Sequence, residues 1–417
     1  MKIRFSIPTY FTLYYFLLLF LYHYKIKTYF YWEYVAYLQE STFGFSMTRF
    51  LLATAIFFID LFLIKETKKA KLAFIVLSIF FLLLTVPSLI AYTSGPIYPL
   101  KLLGYHQLFF FALYLFSKIK IDFDKIPVLN KQQSLNLLIV ITSIGLIPYL
   151  LIYGPYINLK NLLLIEVYQT RTIMSNLSNP YFGYTYSLFT KIIIPLIIVF
   201  SLELKKKSWV VLGVLYLILF YLFGAHKTVY VGLVAVLVFY RFSYSQTIKK
   251  VLKYSNILIV AAFILALFNF DKLWIIIFRR IHFLPTLLDI AYLDFFAEKP
   301  LYWSESILKS FLDYPYDIRH ENLIGEQYFN RIDVAANNGL VSDGLMNFGS
   351  LGVLINVFLV SAYFMVLNNL HISSRYFGLY LLVIFSFISS SVSIVFLTHG
   401  AFMLLLISIF MLRGQRS

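Results

Sequence analysis

Residues 72–92 read LAFIVLSIFFLLLTVPSLIAY, a run without one charged side chain. Crossing about 30 Å of hydrocarbon at about 1.5 Å per residue takes about 20 helical residues, so this stretch alone is long enough to span a bilayer. Similar runs recur on both sides of it. Dividing the chain at its charged and Pro/Gly-rich breaks gives about twelve of them, at approximately 7–24, 43–64, 72–92, 100–117, 135–153, 188–204, 208–224, 228–241, 255–276, 343–367, 376–391 and 393–412.

The composition agrees. The 417 residues are 61% hydrophobic and only 13% charged, with a mean hydropathy of +0.81, whereas water-soluble domains stay near half apolar and about a quarter charged. The expected fold class is therefore an all-α polytopic membrane protein. No self-similar repeat and no low-complexity linker divides it, so residues 1–417 are expected to form a single integral-membrane domain. The 44 Phe, 34 Tyr and 4 Trp accompany abundant Ile, Lys and Asn and scarce Ala, the pattern of a coding bias rather than of a ligand platform. The absence of cysteine excludes disulfides, Cys-ligated metals and thiol catalysis. Lys2 and Arg4 precede the first apolar stretch without a small-residue cleavage site after it, which reads as a retained helix rather than a signal peptide.

In a soluble chain the net charge of +16 raises the question of nucleic acid. Topology answers it first. With both termini in the cytoplasm, 20 of the 35 basic residues fall on the inner side, from Lys2 and Arg4 through Lys205-Lys206-Lys207 to Arg413 and Arg416. Nearly all lie in short loops, where positive residues set orientation. They need no ligand, and no nucleic-acid partner is expected.

Two outer loops remain, at 154–187 and 277–342. The second is the longest stretch outside the bilayer, and its LLDIAYLDFF and SILKSFL pieces have apolar residues at helical spacing, as short interfacial helices do. Long ordered loops in compact proteins tend to carry function.

Arg279, Arg280 and His282 stand where the chain leaves the ninth span. A guanidinium grips phosphate oxygens at two points, so an Arg pair at headgroup level suits a lipid-linked phosphate; the plain alternative is an interfacial anchor. Arg171, five residues after Glu166 and before Tyr181-Phe182-Gly183-Tyr184, either completes an anionic site or pairs with Glu166. Gly224-Ala225-His226-Lys227 is a tight outer turn that holds an imidazole and an ammonium at the membrane face. Asp313, Asp317, Arg319, His320, Glu321 and Glu326 form a mixed polar cluster suited to sugar hydroxyls or general-base work, and equally to a solvated loop. Asn338 leads to Asp343 and Asn347, which share one face at i, i+4 in the tenth span, while Gly349 and Gly352 permit close helix packing. Arg49 and His399 are secondary candidates as ionisable groups inside spans. No HExxH, Walker A, GxSxG or paired DxD motif stands in the outer loops, so metal ligation and nucleotide-dependent chemistry have no motif behind them and no cofactor is expected.

Three stretches together resemble the oligosaccharide repeat unit polymerases, the Wzy or O-antigen polymerase family. They are Arg280-Ile281-His282-Phe283-Leu284-Pro285 with its continuation Tyr292-Leu293-Asp294-Phe295-Phe296, the passage Ile324-Gly325, Tyr328-Phe329 and Asn337-Asn338-Gly339, and Asp343-Gly344-x-x-Asn347-Phe348-Gly349-x-x-Gly352. Their order, with about twelve spans and a large outer loop before the final helices, makes the resemblance cover most of the chain from 160 to 412. The turn after span seven often reads Gly-x-Arg in such proteins, whereas this chain has His226-Lys227.

The resemblance implies a GT-C-like glycosyltransferase in the bacterial cytoplasmic (inner) membrane. Its substrate would be an undecaprenyl-pyrophosphate-linked oligosaccharide, reached among membrane lipids, with a chain-length regulator protein as a further partner. Such an enzyme moves the growing glycan from its carrier onto a new lipid-linked repeat unit, without nucleotide sugar or metal. The expected catalytic residues are Arg171, Arg280, Glu326 and His226. Arg279, His282, Lys227, Arg319, His320, Asn338, Asp343 and Asn347 are expected to bind substrate. A lipid-linked oligosaccharide flippase and an O-antigen ligase are the alternatives.

Overall fold

A computed structural model describes residues 6–33, 44–69, 71–95, 97–177 and 179–414. Lys2, Arg4 and Arg416, used above for orientation, lie outside them. Every regular element among the described residues is helical. In chain order these are α1 (Ile7–Glu33), α2 (Met47–Glu66), α3 (Lys71–Tyr92), α4 (Leu100–Phe116), α5 (Lys131–Tyr153), α6 (Val167–Asn176), α7 (Pro180–Glu203), α8 (Lys207–Gly224), α9 (Thr228–Phe239) and α10 (Tyr244–Leu267). A π-helical stretch, Trp274–Phe283, then runs into α11 (Leu284–Phe295), followed by α12 (His320–Phe329), α13 (Leu340–Asn369), α14 (Phe377–Ser389), α15 (Val392–Leu397) and α16 (Ala401–Leu412). Seven of them, α2, α3, α5, α7, α8, α10 and α13, are long and apolar enough to cross a membrane. The chain is an α-helical membrane protein.

Two compact units divide the residues. The first takes the chain up to Lys120, Tyr244–Asn368 and Phe387–Ser393. After its first residue, Lys71, α3 is without charge and almost wholly buried there, which is why its sequence is apolar on every face rather than along one stripe. α1 lies along α10, and Tyr15 stacks on Phe57 of α2 at 4.4 Å. The second unit takes Ile121–Ser243, Asn369–Ser386 and the residues from Ile394. Its α7 packs against α5, α8 and α9, with Gly213 of α8 leaving no room for a Cβ beside Ile198. The Glu203 carboxylate at the end of α7 ties Lys131 (2.9 Å), Arg375 (3.3 Å) and the Tyr376 hydroxyl into one knot.

Two loop boundaries move. α7 begins at Pro180, so Tyr181-Phe182-Gly183-Tyr184 is helical and the first outer loop is shorter than 154–187. Asn179 caps that helix by accepting from the Phe182 N–H, the cap a helix N-terminus requires. The helix expected at 255–276 instead spans Tyr244–Leu267. Its basic first turns bury Tyr244, Thr247, Ile248, Leu252 and Asn256 at helical spacing, and Asn256 Nδ2 donates to the Tyr10 carbonyl at 3.0 Å.

The large loop is seated on an apolar cluster of Leu288, Ala291, Tyr292, Phe296, Leu301, Ile324, Tyr328, Ala336 and Met346. α13 breaks at Phe348 and Gly349, where Gly349 takes φ +59° and ψ −137°. This conformation is open essentially to glycine alone. The glycine pair in close contact is Gly344 with Gly352, where a Cβ on Gly352 would lie 2.1 Å from the Gly344 oxygen. A Cβ on Gly349 would meet nothing within 4 Å, so it is the backbone conformation and not close packing that calls for glycine there. Breaking a helix frees carbonyls that need donors. The Leu301 and Tyr302 N–H groups supply them to Met346 (2.8 Å) and Asn347 (3.1 Å), and the Trp303 N–H donates to Asn347 Oδ1 at 2.9 Å.

Candidate functional site

In the second unit, a short 3-10 turn and α6 lie over the end of α8. Asn161 Nδ2 donates to Thr170 Oγ1 (2.7 Å), and the Tyr221 hydroxyl of α8 donates to the Asn161 carbonyl (2.7 Å). This pinning brings Arg171 to the turn that ends α8. Its Nε (3.3 Å) and Nη2 (3.1 Å) both donate to the Ala225 carbonyl, at the negative end of the helix dipole. Ala225 is in the left-handed conformation with φ 49°, which turns the chain sharply so that His226 follows at once.

The pairing of Arg171 with Glu166 does not form. Glu166 instead accepts from Lys160 (2.7 Å) and Asn158 (2.5 Å), and these two bonds hold its carboxyl below the usual range. His226 is half-buried against the Tyr186 ring, with centroids 5.4 Å apart. Burial first, then the charges of Arg171 and Lys191, push its imidazole down to about 4, so it is neutral near pH 7. Lys227 is exposed.

Lys191, absent from the sequence candidates, lies in a π turn of α7 (Phe189–Ile193). Its Nζ donates to Ser386 Oγ at 3.3 Å, and it is an electrostatic neighbour of both His226 and His399. His399 sits in the break before α16, and its Nδ1 is buried without a hydrogen-bond partner. Arg171, Lys191, His226 and His399 thus form one neighbourhood, and among the described residues no carboxylate pairs with any of them. π turns recur at functional sites, and an ionisable residue inside an apolar helix is a functional candidate by default.

The first unit handles its polar residues differently. Asp343 and Asn347 share a face, and Asn347 Nδ2 donates to the Asp343 carbonyl (2.9 Å) and Oδ1 (3.0 Å). Asp343 Oδ2 accepts from Asn356 Nδ2 and the Val392 N–H, each at 3.0 Å, and Ser391 adds its hydroxyl. The carboxylate meets no loop arginine; protein donors take its lone pairs. Asn338 is likewise inward, with Nδ2 donating to the Pro285 carbonyl (2.8 Å) and Asp289 Oδ1 (3.0 Å).

Asp289 also accepts from Ser342 Oγ (2.6 Å) and faces His106 Nε2 at 2.9 Å. Neither Asp289 nor His106 stands out in the sequence, because each lies inside a largely apolar run; the available signal is the default suspicion of any ionisable residue there. Arg49 donates to the Gly95 and Tyr98 carbonyls and lies 4.6 Å from the Tyr92 ring centroid, closing the end of α3.

Arg279, Arg280 and His282 all fall in the π-helical stretch and differ in burial. Arg280 is exposed, Arg279 half-buried and His282 buried. His282 lies among Tyr14, Phe278 and Phe283, a core histidine rather than a headgroup ligand. On α12, Glu326 is exposed on the face opposite the buried Glu321, Ile324 and Tyr328.

Arg319, His320, Glu321 and Glu305 form an ion cluster. Arg319 reaches Glu321 Oε1 at 2.9 Å and Glu305 Oε1 at 3.5 Å. His320 Nδ1 hydrogen-bonds Glu305 Oε2 and lies 3.2 Å from Glu321 Oε2. Burial raises the Glu305 carboxyl, but His320 and Arg319 together outweigh it and leave it below the usual range.

No protein-family model, curated protein or solved structure matches the chain.

Proposed function

We propose that the chain is a polysaccharide polymerase that transfers a glycan from undecaprenyl pyrophosphate onto a lipid-linked repeat unit at the outer face of the bacterial cytoplasmic membrane. The observation that carries this reading is the neighbourhood of Arg171, Lys191, His226 and His399, which gathers cationic and imidazole groups with no acid paired to them. Cations left unpaired at an apolar helix bundle are suited to an anionic, membrane-borne ligand.

In the reaction, an acceptor sugar hydroxyl attacks the anomeric carbon and the bond from that carbon to the pyrophosphate oxygen breaks. The departing pyrophosphate keeps the electron pair, and the hydroxyl proton passes to a carboxylate base. Arg171 and Lys191 stabilise the leaving charge as preorganised cations. The neutral His226 donates a hydrogen bond to it. Lys227, exposed beside His226, contacts the lipid-linked phosphate. The reaction draws on no nucleotide sugar. α1 and the shorter apolar helices α4, α9, α14 and α16 join the seven long ones in a GT-C-like bundle of about twelve spans, with both termini cytoplasmic and a chain-length regulator as partner.

The decisive assay gives the purified protein undecaprenyl-pyrophosphate-linked repeat units alone and reads chain length on a gel. A polymerase makes ladders. A ligase needs lipid A core as acceptor and makes none, and a flippase makes none under any condition. Arg171→Ala is expected to slow chain formation about a hundredfold, equivalent to about 3 kcal/mol of lost transition-state stabilisation. An unchanged rate in Arg171→Ala would remove the guanidinium from the mechanism.

A further inference from the structure

Glu305, His320 and Glu321 sit on two pieces of the large loop that are distant in sequence. Glu305 follows the 301–303 segment that docks on the break in α13, and His320 and Glu321 open α12. One donor atom from each, the imidazole Nδ1 and a carboxylate oxygen of either Glu, lies within 4.8 Å of the other two. Glu321 is 3% exposed and His320 6%, so the cluster is closed on the protein side. Glu305, with 21% of its side chain exposed, leaves it open on the other.

The proton count does not satisfy the cluster. His320 Nδ1 has at most one proton to give, and it is directed at Glu305. Glu321 Oε2, 3.2 Å from the same nitrogen, accepts no hydrogen bond although it is buried. A buried carboxylate oxygen without a partner is costly. The outer oxygens, by contrast, are engaged. Arg319 reaches Oε1 of both carboxylates, and this leaves both Oε2 atoms turned toward the imidazole nitrogen. Partners that fix the far atoms of ligating groups are the usual support of a metal site. Two carboxylates against one guanidinium also leave a net negative charge for a cation to neutralise.

We propose that Glu305, His320 and Glu321 bind one divalent transition-metal ion of the zinc class, which replaces the single proton and satisfies all three inward atoms at once. One imidazole nitrogen and two carboxylate oxygens form a ligand set of the zinc type, whereas magnesium and calcium take oxygen ligands. Metal–ligand distances of about 2.0–2.2 Å put tetrahedral ligand atoms about 3.4 Å apart. The 3.2 Å contact already meets that spacing, and the shorter His320–Glu305 contact has to open to reach it. A water at the open side completes four-coordination. The ion would clasp the 301–305 segment, and with it the broken end of α13, to the start of α12. This role is independent of the proposed glycan transfer and does not rest on it.

The test uses the full chain, purified in detergent, stripped with EDTA and dialysed. Zinc is then titrated by calorimetry, with metal content measured by mass spectrometry. The expected result is about one equivalent bound per chain. Glu321→Gln and the half-exposed Glu305→Gln should each lose it, and Co2+ in the wild type should show the visible absorption of a four-coordinate site that both variants lack. Zinc should also slow tryptic cleavage at Lys309, an exposed lysine between the two clasped pieces. Overturning results are a wild-type chain that binds no zinc, in which case the contacts of Arg319 and His320 alone hold the cluster, or variants that both retain the equivalent, in which case the zinc binds elsewhere. Neither readout involves polymerisation, so failure of the metal site and failure of the polymerase reading are separable.

Discussion

Asp343 in the first unit and Lys191 in the second are both ionisable groups in helices apolar enough to cross a membrane. They are treated in opposite ways. Asp343 receives hydrogen bonds from Asn347, Asn356 and Val392, whereas Lys191 has one hydroxyl partner and two imidazole neighbours. A charge surrounded by donors is a structural fixture, held because the fold is built around it. One left beside other cations is held for something that arrives later. This contrast separates the two halves of the candidate list more sharply than residue type does, since Arg171, an expected catalytic residue, and Asp343, an expected substrate-binding one, are both candidates in the sequence.

The largest expected effect tests the structural half. Asp343→Ala removes the acceptor and strands the amides of Asn347 and Asn356 and the Val392 N–H in a buried site. Losing one partner of such a network costs about 3–5 kcal/mol. Thermal unfolding in detergent should therefore fall steeply, and little folded protein should accumulate. A normal unfolding midpoint for Asp343→Ala would mean that the carboxylate is not structural and would return it to the list of substrate-binding residues.

How far the sequence reveals this contrast depends on the level asked. The membrane-crossing helices are legible because lipid imposes one rule on every residue it touches, and the charge-free 72–92 run satisfies it outright. Helix ends are less legible where polar residues face protein. The basic, polar start of α10 looks like a loop, yet Thr247, Leu252 and Asn256 are buried on one face; charged positions there mark where lipid ends, not where the helix begins. The site is partly legible. Arg171 and His226 are singled out by their loops and are brought together, because a tight turn and the short α6 leave them few places to go. Asp289 and His106 are invisible as a pair, since they are separated by 183 positions in the chain and only packing joins them. The Arg279-Arg280-His282 cluster reads as one unit in sequence, but a helix points successive residues in different directions, and the three end up half-buried, exposed and buried in turn.

A smaller effect tests the second half. Lys191→Met keeps the length and apolar body of the side chain and removes its charge. If Lys191 is held for an anion, the variant is as stable as the wild type or slightly more so, because an unpaired charge no longer has to be buried. Polymerisation should nevertheless drop about ten- to a hundredfold, about 1.4–2.7 kcal/mol in the barrier. Asp343→Ala and Lys191→Met then fail in opposite assays. A Lys191→Met chain that loses stability and activity together would erase the distinction between the two units.

The smallest effect is the most specific to the cation neighbourhood. Burial, Arg171 and Lys191 hold the His226 imidazole at about 4 against an ordinary 6.5. In this depressed case the unfolded chain takes up the proton first as pH falls. The stability that His226 contributes is therefore complete above about pH 6.5 and is lost progressively down to about pH 4. Solvent at the half-buried ring screens the effect, so the expected slope amounts to about 1 kcal/mol across that window. His226→Asn, which cannot titrate, should flatten it. Inorganic pyrophosphate should flatten it too, by a different route: an anion beside the ring favours imidazolium, raises the folded-state value toward the unfolded one and so narrows the gap on which the slope depends. A slope present in the wild type, absent in His226→Asn and weakened by pyrophosphate but not by an equal concentration of chloride ties the depressed imidazole to a phosphate-binding role. A slope that pyrophosphate leaves unchanged would make His226 a turn residue that the anion does not touch, leaving Arg171 and Lys191 to hold the leaving group without it.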